Sequence, residues 1–149
     1  MLVVMPLAAL ASDISGRALV YSIGLIGIGV WVFPMWILFN QATVDNAAPV
    51  WISLLVAFFF IGVCYGPQAA LFGELFPAEL RYSGASLGYQ LASVLAGLAP
   101  MVMVALVAGD PGNIWRFSAL IVALVLVALG SIALIRRRQK HTKTEWAAA

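Results

Sequence analysis

The chain has 149 residues, of which 64% are hydrophobic and only 9% are charged, and its mean hydropathy is +1.04. Charged residues make up about a quarter of an ordinary soluble domain, and a soluble fold of this length cannot bury so much apolar surface. The composition therefore predicts an integral membrane protein, with the lipid bilayer as a partner of its apolar surface. The net charge of +2 is too small to indicate a nucleic-acid partner, and the single cysteine, Cys64, excludes an intrachain disulfide.

The first apolar stretch covers residues 1–11 and is followed by Ser12 and Asp13. A cleaved secretory signal is one interpretation, because Ala9-Leu10-Ala11 resembles a cleavage site. Signal peptides, however, begin with a positively charged region, and no Lys or Arg precedes this stretch. We therefore expect residues 1–11 to be a partial span, the end of a membrane helix that begins outside this chain.

Four longer stretches without charged residues follow along the chain. A helix needs about 20 apolar residues to cross a bilayer, and a helix satisfies its own backbone hydrogen bonds in lipid. The pattern predicts an all-α, polytopic transmembrane bundle with a basic tail at 136–149. The predicted spans lie at about 18–39, 50–72, 84–107 and 114–135.

The connections between these spans differ in charge. Arg17, Arg81 and the basic residues that follow Ile135 fall on one side of four full spans, whereas Arg116 falls on the other side. Since Lys and Arg concentrate on the cytoplasmic side of membrane proteins, we expect the turns at 12–17 and 74–82 and the C-terminus to be cytoplasmic. The polar segments 40–46 and 108–113 are then the outer turns.

Small residues recur every four positions along two of the spans. Such stripes let helix backbones approach closely in lipid, so we expect helix packing along both. The first stripe contains Gly62, Gly66 and Ala70, and the second contains Gly84, Gly88, Ala92 and Ala96.

Polar side chains are rarer and more informative. Amides in hydrocarbon are costly unless they face a cavity or another polar group, and Gln68 and Gln90 both lie within predicted spans. We identify Tyr65, Gln68, Tyr89 and Gln90 as candidate substrate-binding residues. A hydrogen bond from each glutamine to a neighbouring helix is the structural alternative, and both interpretations remain open.

Proline within a helix removes a hydrogen bond, so we expect kinks at Pro34 and Pro67.

Catalytic groups are missing from the sequence pattern. His141 is the single histidine and lies in the polar tail, and no metal-ligand cluster, phosphate-binding glycine loop or paired nucleophile and base is present. We therefore expect neither an enzyme nor a bound cofactor or metal. No ionisable residue lies deep in any predicted span, although a proton relay usually needs one, so a proton carrier would have to lie outside this chain.

Two connections resemble a known family. Asp13-Ile14-Ser15-Gly16-Arg17 is similar to the D-x-x-G-R core of the short loop repeated in each half of major facilitator transporters. The segment from Gly73 to Arg81, Gly-Glu-Leu-Phe-Pro-Ala-Glu-Leu-Arg, resembles the E-x-F-P-x-x-x-R segment between their tenth and eleventh helices. The continuation over 82–93 and the preceding run over 65–70 resemble the metabolite:proton symporters, which include shikimate, α-ketoglutarate, citrate and proline/betaine carriers.

The resemblance covers nearly the whole chain, from the end of helix eight through helix twelve. It implies the C-terminal part of a bacterial inner-membrane transporter that carries a small organic acid or zwitterionic metabolite with protons, and whose N-terminal half is missing here. Asp13 and Arg17 would form part of a cytoplasmic latch, and Glu74 and Arg81 would join the charge network that stabilises the outward-open state. The simpler role for these charges is to fix the orientation of the helices in the membrane. The alternative for the whole chain is a truncated, non-transporting membrane polypeptide or a helper subunit.

Overall fold

The computed structural model describes residues 1–43, 45–74, 76, 79–107 and 114–148, and of residues 107 and 137–148 it describes the backbone alone. Within these ranges every regular element is an α-helix, which confirms the predicted all-α bundle. The helices, in chain order, are α1 (Val4–Ser15), α2 (Arg17–Gln41), α3 (Ala48–Gly73), α4 (Arg81–Gly97), α5 (Ala99–Val107) and α6 (Ile114–Ala148).

Four helical stretches are long and apolar enough to cross a membrane, and they cover the predicted spans to within about a residue. They are Arg17–Gln41, Ala48–Gly73, Arg81–Leu106 and Ile114–Arg136. The helix α1 has 12 residues, which at about 1.5 Å per residue is too short to cross alone. The positions of the membrane boundaries along these helices stay a prediction.

The third of these stretches is divided, although the sequence pattern predicted one continuous span at 84–107. Leu98 separates α4 from α5, and its N–H donates to the Leu95 carbonyl at 3.1 Å in a tightened turn. Pro100 follows two residues later; it has no N–H, and its ring clashes with the carbonyl four residues earlier. Proline therefore interrupts the helix at Leu98, a break that the sequence analysis did not predict, although Arg81–Leu106 still forms one candidate span. Pro34 and Pro67, in contrast, lie inside unbroken helices.

The turn between α1 and α2 is narrower than the predicted 12–17 segment. Both helices continue up to Gly16, which alone connects them with φ +97° and ψ 128°. Only glycine adopts such a positive φ at little cost, so a single residue reverses the chain. As a result Asp13 lies in the last turn of α1 and Arg17 is the first residue of α2, rather than both lying in a loop.

The helices α1, α2 and α3 pack closely through glycines. A Cβ at Gly66 would lie 2.7 Å from the Met5 carbonyl oxygen and 2.8 Å from the Ala8 Cβ, and a Cβ at Gly24 would lie 2.5 Å from the Cys64 Sγ. Only hydrogen fits at these contacts, so the backbones of α1 and α3, and of α2 and α3, approach directly. The first small-residue stripe is thus a packing face for α1.

The helix α6 packs against α2. The Trp36 indole N–H donates to the Ser118 Oγ at 3.0 Å, and a Cβ at Gly29 would lie 3.4 Å from the Val125 Cγ1. Ser118 is fully buried, so this hydrogen bond ties the two helices within an apolar contact. The helix α6 has 35 residues and runs beyond Arg136 into the predicted tail.

The helix α4 is the least covered element, because none of its residues is buried. Its contacts with the rest of the bundle are made mainly with α3 and α5. A Cβ at Gly84 would lie 2.6 Å from the Phe76 ring, whereas Gly88 and Gly97 face open space. The second small-residue stripe therefore packs closely only at its first residue, and further along it borders a groove.

Candidate substrate groove and charged helix ends

Charged residues meet where α1, α2 and α3 end on the same side of the bundle. The Arg17 guanidinium donates through Nη1 to the Glu74 Oε1 at 2.5 Å and through Nη2 to the Asp13 Oδ1 at 3.4 Å. Gly16 places Arg17 one helical turn after Asp13, and Glu74 directly follows the last residue of α3. Three of the four residues predicted to form a charge network are thus in contact.

Arg81, the fourth predicted member, lies beside this cluster. It is exposed at the start of α4, and its Cδ would be 3.6 Å from a Cβ at Gly73. Its aliphatic stem therefore covers the end of α3. Among the described side chains, the ion pairs of the cluster are made by Arg17 rather than by Arg81.

These ion pairs remain partly in water. The side chains of Arg17 and Glu74 are 32% and 54% exposed, and exposed ion pairs contribute only about 0.2–1 kcal/mol. Such contacts can break and form again at little cost. This is a useful property for helix ends that move relative to one another, and it also fits a role in fixing topology.

A groove of about 280 Å³ lies between α3 and α4 and reaches the first turns of α2. Polar atoms come from three tyrosine hydroxyls, one amide and one serine hydroxyl, and the lining residues described carry no formal charge at neutral pH. Such a lining can orient a small polar molecule by hydrogen bonds and by contact with aromatic faces. The lining residues are Tyr21, Tyr65, Gln68, Phe72, Gly88, Tyr89, Ala92, Ser93 and Ala96.

Three of the four candidate substrate-binding residues, Tyr65, Gln68 and Tyr89, line this groove together. Gln90 follows Tyr89 on an exposed turn of α4 and does not belong to the groove lining. Successive residues of a helix point about 100° apart, so Tyr89 and Gln90 cannot both face α3 directly. The structure therefore brings three of the candidates together and leaves the fourth on an adjacent face of the helix.

Two lining residues were missed by sequence reasoning. Tyr21 and Phe72 contact each other edge to face, with ring centroids 6.3 Å apart, and they close the end of the groove nearest Arg17. Tyr21 lies one helical turn after Arg17, but this spacing alone does not show that it faces α3. Ser93 also lines the groove, and its hydroxyl donates to the Tyr89 carbonyl at 2.8 Å.

A second cavity, of about 220 Å³, adjoins the charged cluster, and we call it the charged cavity. Phe72 lines both the groove and this cavity, so the two spaces are adjacent. Among the described residues no group of three or more His, Cys, Asp or Glu side chains is placed to hold a metal ion.

The chain is similar to curated transporters over most of its length. It is 33% identical over 129 residues to the inner membrane metabolite transport protein YhjE of Escherichia coli, covering 85% of this chain and 29% of that protein. It is 29% identical over 136 residues to the shikimate transporter of the same species, covering 91% of this chain and 31% of that protein. These relatives confirm the predicted resemblance to metabolite transporters of the major facilitator type.

The similarity extends to a relative named for another substrate. The chain is 28% identical over 100 residues to the Escherichia coli proline/betaine transporter, covering 67% of this chain and 19% of that protein. The chain therefore spans less than a third of the length of the curated relatives it matches. No family model and no solved structure matches it. The four long apolar helices and the transporter relatives together indicate a multi-pass membrane protein.

Proposed function

We propose that this chain is the C-terminal part of a secondary active transporter of the bacterial inner membrane, with its C-terminus in the cytoplasm. The transporter carries a small organic acid or zwitterionic metabolite together with protons, by alternating access. The observation that carries the proposal is the groove that Tyr65, Gln68 and Tyr89 line together, in a chain whose relatives are named as metabolite transporters.

The lining of the groove supports a substrate that is held by hydrogen bonds. Gln68 offers an amide donor and an amide acceptor, and the tyrosine hydroxyls offer both kinds of group. A carboxylate accepts such bonds, and a positively charged ammonium group is attracted to tyrosine faces. Because the described lining holds no fixed charge, it suits a zwitterion or an anion whose countercharge is supplied by the missing half of the site.

The openness of α4 supports a site that is completed by further helices. No residue of α4 is buried, and several large side chains on it are exposed, among them Leu87, Leu91 and Val94. In a transporter built from two halves, the substrate binds between them near the bilayer midplane. The exposed face of α4 is where the other helices would pack.

The cluster at the helix ends supports alternating access. The contacts of Arg17 with Asp13 and Glu74 connect α1, α2 and α3 at the end of the bundle that we assign to the cytoplasm. Rocking of one half against the other would break and remake weak ion pairs of this kind. In this proposal the cluster favours the outward-open state, and Arg81 joins it during the cycle.

Vesicle uptake separates this proposal from the alternative of a non-transporting polypeptide. Proteoliposomes would contain either the complete transporter that includes this chain or the 149-residue chain alone, and would be offered labelled shikimate, proline and glycine betaine. We expect uptake by the complete transporter, with acceleration by an inward proton gradient and abolition by a protonophore. The chain alone should give none. Absence of gradient-dependent uptake by the complete transporter would contradict proton-coupled symport.

A further inference from the structure

The charged cavity lies between α2, α3 and α6. It is bounded by the start of α2, the end of α3 and the last apolar turn of α6. Arg17 begins one candidate span and Gly73 ends another, and Arg136 is the first charged residue after the charge-free stretch of α6, so we assign the cavity to the depth of lipid headgroups. The lining residues are Arg17, Ala18, Leu71, Phe72, Glu74, Ile132, Ile135 and Arg136.

The two arginines that line the charged cavity differ in their ion pairs. Arg17 donates to Glu74 and to Asp13, and both ion pairs found among the described side chains belong to it. Arg136 also lines the cavity and is exposed, and none of those ion pairs involves it. Two arginines and one glutamate give the lining a formal charge of +1. The guanidinium of Arg136 is therefore the group best placed to bind an anion.

The remaining walls of the cavity are apolar. Together with the arginines they suit a molecule that has both an anionic group and an aliphatic part. Leu71, Ile132 and Ile135 provide aliphatic surface, which a water-soluble phosphate would leave exposed to water. A phospholipid fits both parts, because its phosphodiester accepts bidentate hydrogen bonds from a guanidinium and its glycerol and acyl chain cover aliphatic side chains. Basic pockets between membrane helices bind anionic headgroups in this manner.

We propose that the charged cavity binds the headgroup of an anionic phospholipid, with Arg136 contacting the phosphodiester and Ile132 and Ile135 contacting the start of an acyl chain. The lining keeps a formal charge of +1 even with the Arg17–Glu74 ion pair formed, so a lipid with a net negative charge gains more from it than a zwitterionic lipid does. A net anionic lipid such as phosphatidylglycerol is therefore preferred over a zwitterionic one. This site is distinct from the substrate groove, with which it shares only Phe72 among the lining residues described.

The test uses native mass spectrometry of the full chain in detergent micelles, with equal amounts of added phosphatidylglycerol and phosphatidylethanolamine. We expect preferential retention of phosphatidylglycerol. Loss of a charge-assisted contact of about 1.5–3 kcal/mol should make the Arg136→Gln variant bind it about tenfold or more weakly. The matched control is Arg116→Gln, which removes an exposed arginine in the first turn of α6, outside the cavity, and should leave retention unchanged.

Two further arms make the result decisive. Ile132→Trp fills the apolar part of the cavity without changing charge and should also weaken lipid retention, while circular dichroism confirms that each variant keeps its helices. Added glycerol 1-phosphate distinguishes a lipid from a soluble phosphate, and we expect it not to displace the lipid at matched concentration. Equal retention of the two lipids, equal retention by Arg136→Gln and wild type, or full displacement by glycerol 1-phosphate would each overturn the proposal.

Discussion

Arg17 and Glu74 join the first residue of α2 to the end of α3 across 57 positions of sequence, with 2.5 Å between the Nη1 and Oε1 atoms. The same guanidinium reaches back to Asp13 in α1 at 3.4 Å. One arginine thus holds three helix ends together. Since the three side chains are partly exposed, the cluster is a weak contact that the protein can open, and its main effect should be on which state is populated.

Replacing Glu74 by Gln removes the carboxylate and keeps the shape of the side chain. We expect only a small loss of stability, about 0.2–1 kcal/mol, in detergent-solubilised chain unfolded by heat. In the complete transporter the same substitution should change the rate of uptake more strongly than the stability, because the weakened cluster alters the balance of states.

Glu79→Gln is the matched control for this substitution, because Glu79 is an exposed carboxylate in the same connection. A double-mutant cycle of Arg17→Gln with Glu74→Gln should show non-additive stability. Additive effects, or an equal change of uptake in Glu79→Gln, would show that the Arg17–Glu74 contact has no role of its own.

Gly66→Ala should separate α1 from α3. The new methyl group would lie 2.7 Å from the Met5 carbonyl oxygen, and overpacking of this kind costs about 1–3 kcal/mol. Gly130→Ala in α6 is the control, since a Cβ there meets nothing within 4 Å, and alanine is favoured over glycine inside a helix. Thermal unfolding in micelles should show a lower midpoint for Gly66→Ala and an unchanged or higher midpoint for Gly130→Ala.

Ser118→Ala should loosen α6 from α2. The Ser118 Oγ accepts the Trp36 indole N–H at 3.0 Å inside an apolar contact, and losing an interhelical hydrogen bond in a membrane protein costs about 0.6–2 kcal/mol. Ser131→Ala removes a serine whose hydroxyl donates only to its own helix, at the Val127 carbonyl. A lower unfolding midpoint is expected for the first variant alone; equal midpoints for both would argue against the Trp36 contact.

Separate substitutions of Gln68 and Gln90 test how far the substrate site extends. In the complete transporter, Gln68→Ala should raise the substrate concentration needed for half-maximal uptake, because an amide that lines the groove is lost. Gln90→Ala tests the candidate that lies outside the groove lining. Equal changes in both variants would contradict a site limited to the groove lining and would extend it to the adjacent face of α4.

The sequence predicts the bundle well because membrane spans are read from composition alone. Four stretches without charge match four apolar helices, and the order of the helices follows directly from the chain. The division at Leu98 was missed, although Pro100 was visible, since the charge-free stretch around it suggested one unbroken span. The physical reason is that hydropathy measures partition into lipid, whereas proline acts on backbone hydrogen bonds.

The site was predicted only in part, because the side of a helix that faces its neighbour depends on how the helices pack. The D-x-x-G-R resemblance assigned Asp13 and Arg17 to a latch and the E-x-F-P-x-x-x-R resemblance assigned Glu74 and Arg81 to a charge network, and the structure joins the two groups through the Arg17–Glu74 contact. Tyr21 was missed because nothing in the sequence shows which side of α2 faces α3. That side is decided by glycines such as Gly24, where α3 comes close enough for a Cβ to clash with Cys64.

Alkylation of a cysteine placed in the groove tests most directly whether Tyr65, Gln68 and Tyr89 line a substrate path. In the complete transporter with Cys64→Ser, Ala92→Cys puts a thiol among the lining residues, and Ala123→Cys puts one on an exposed face of α6. The metabolite identified by uptake is then added at saturation. We predict that it slows alkylation at position 92 several-fold and leaves position 123 unchanged. Equal rates at position 92 with and without the metabolite would contradict a substrate path through this groove.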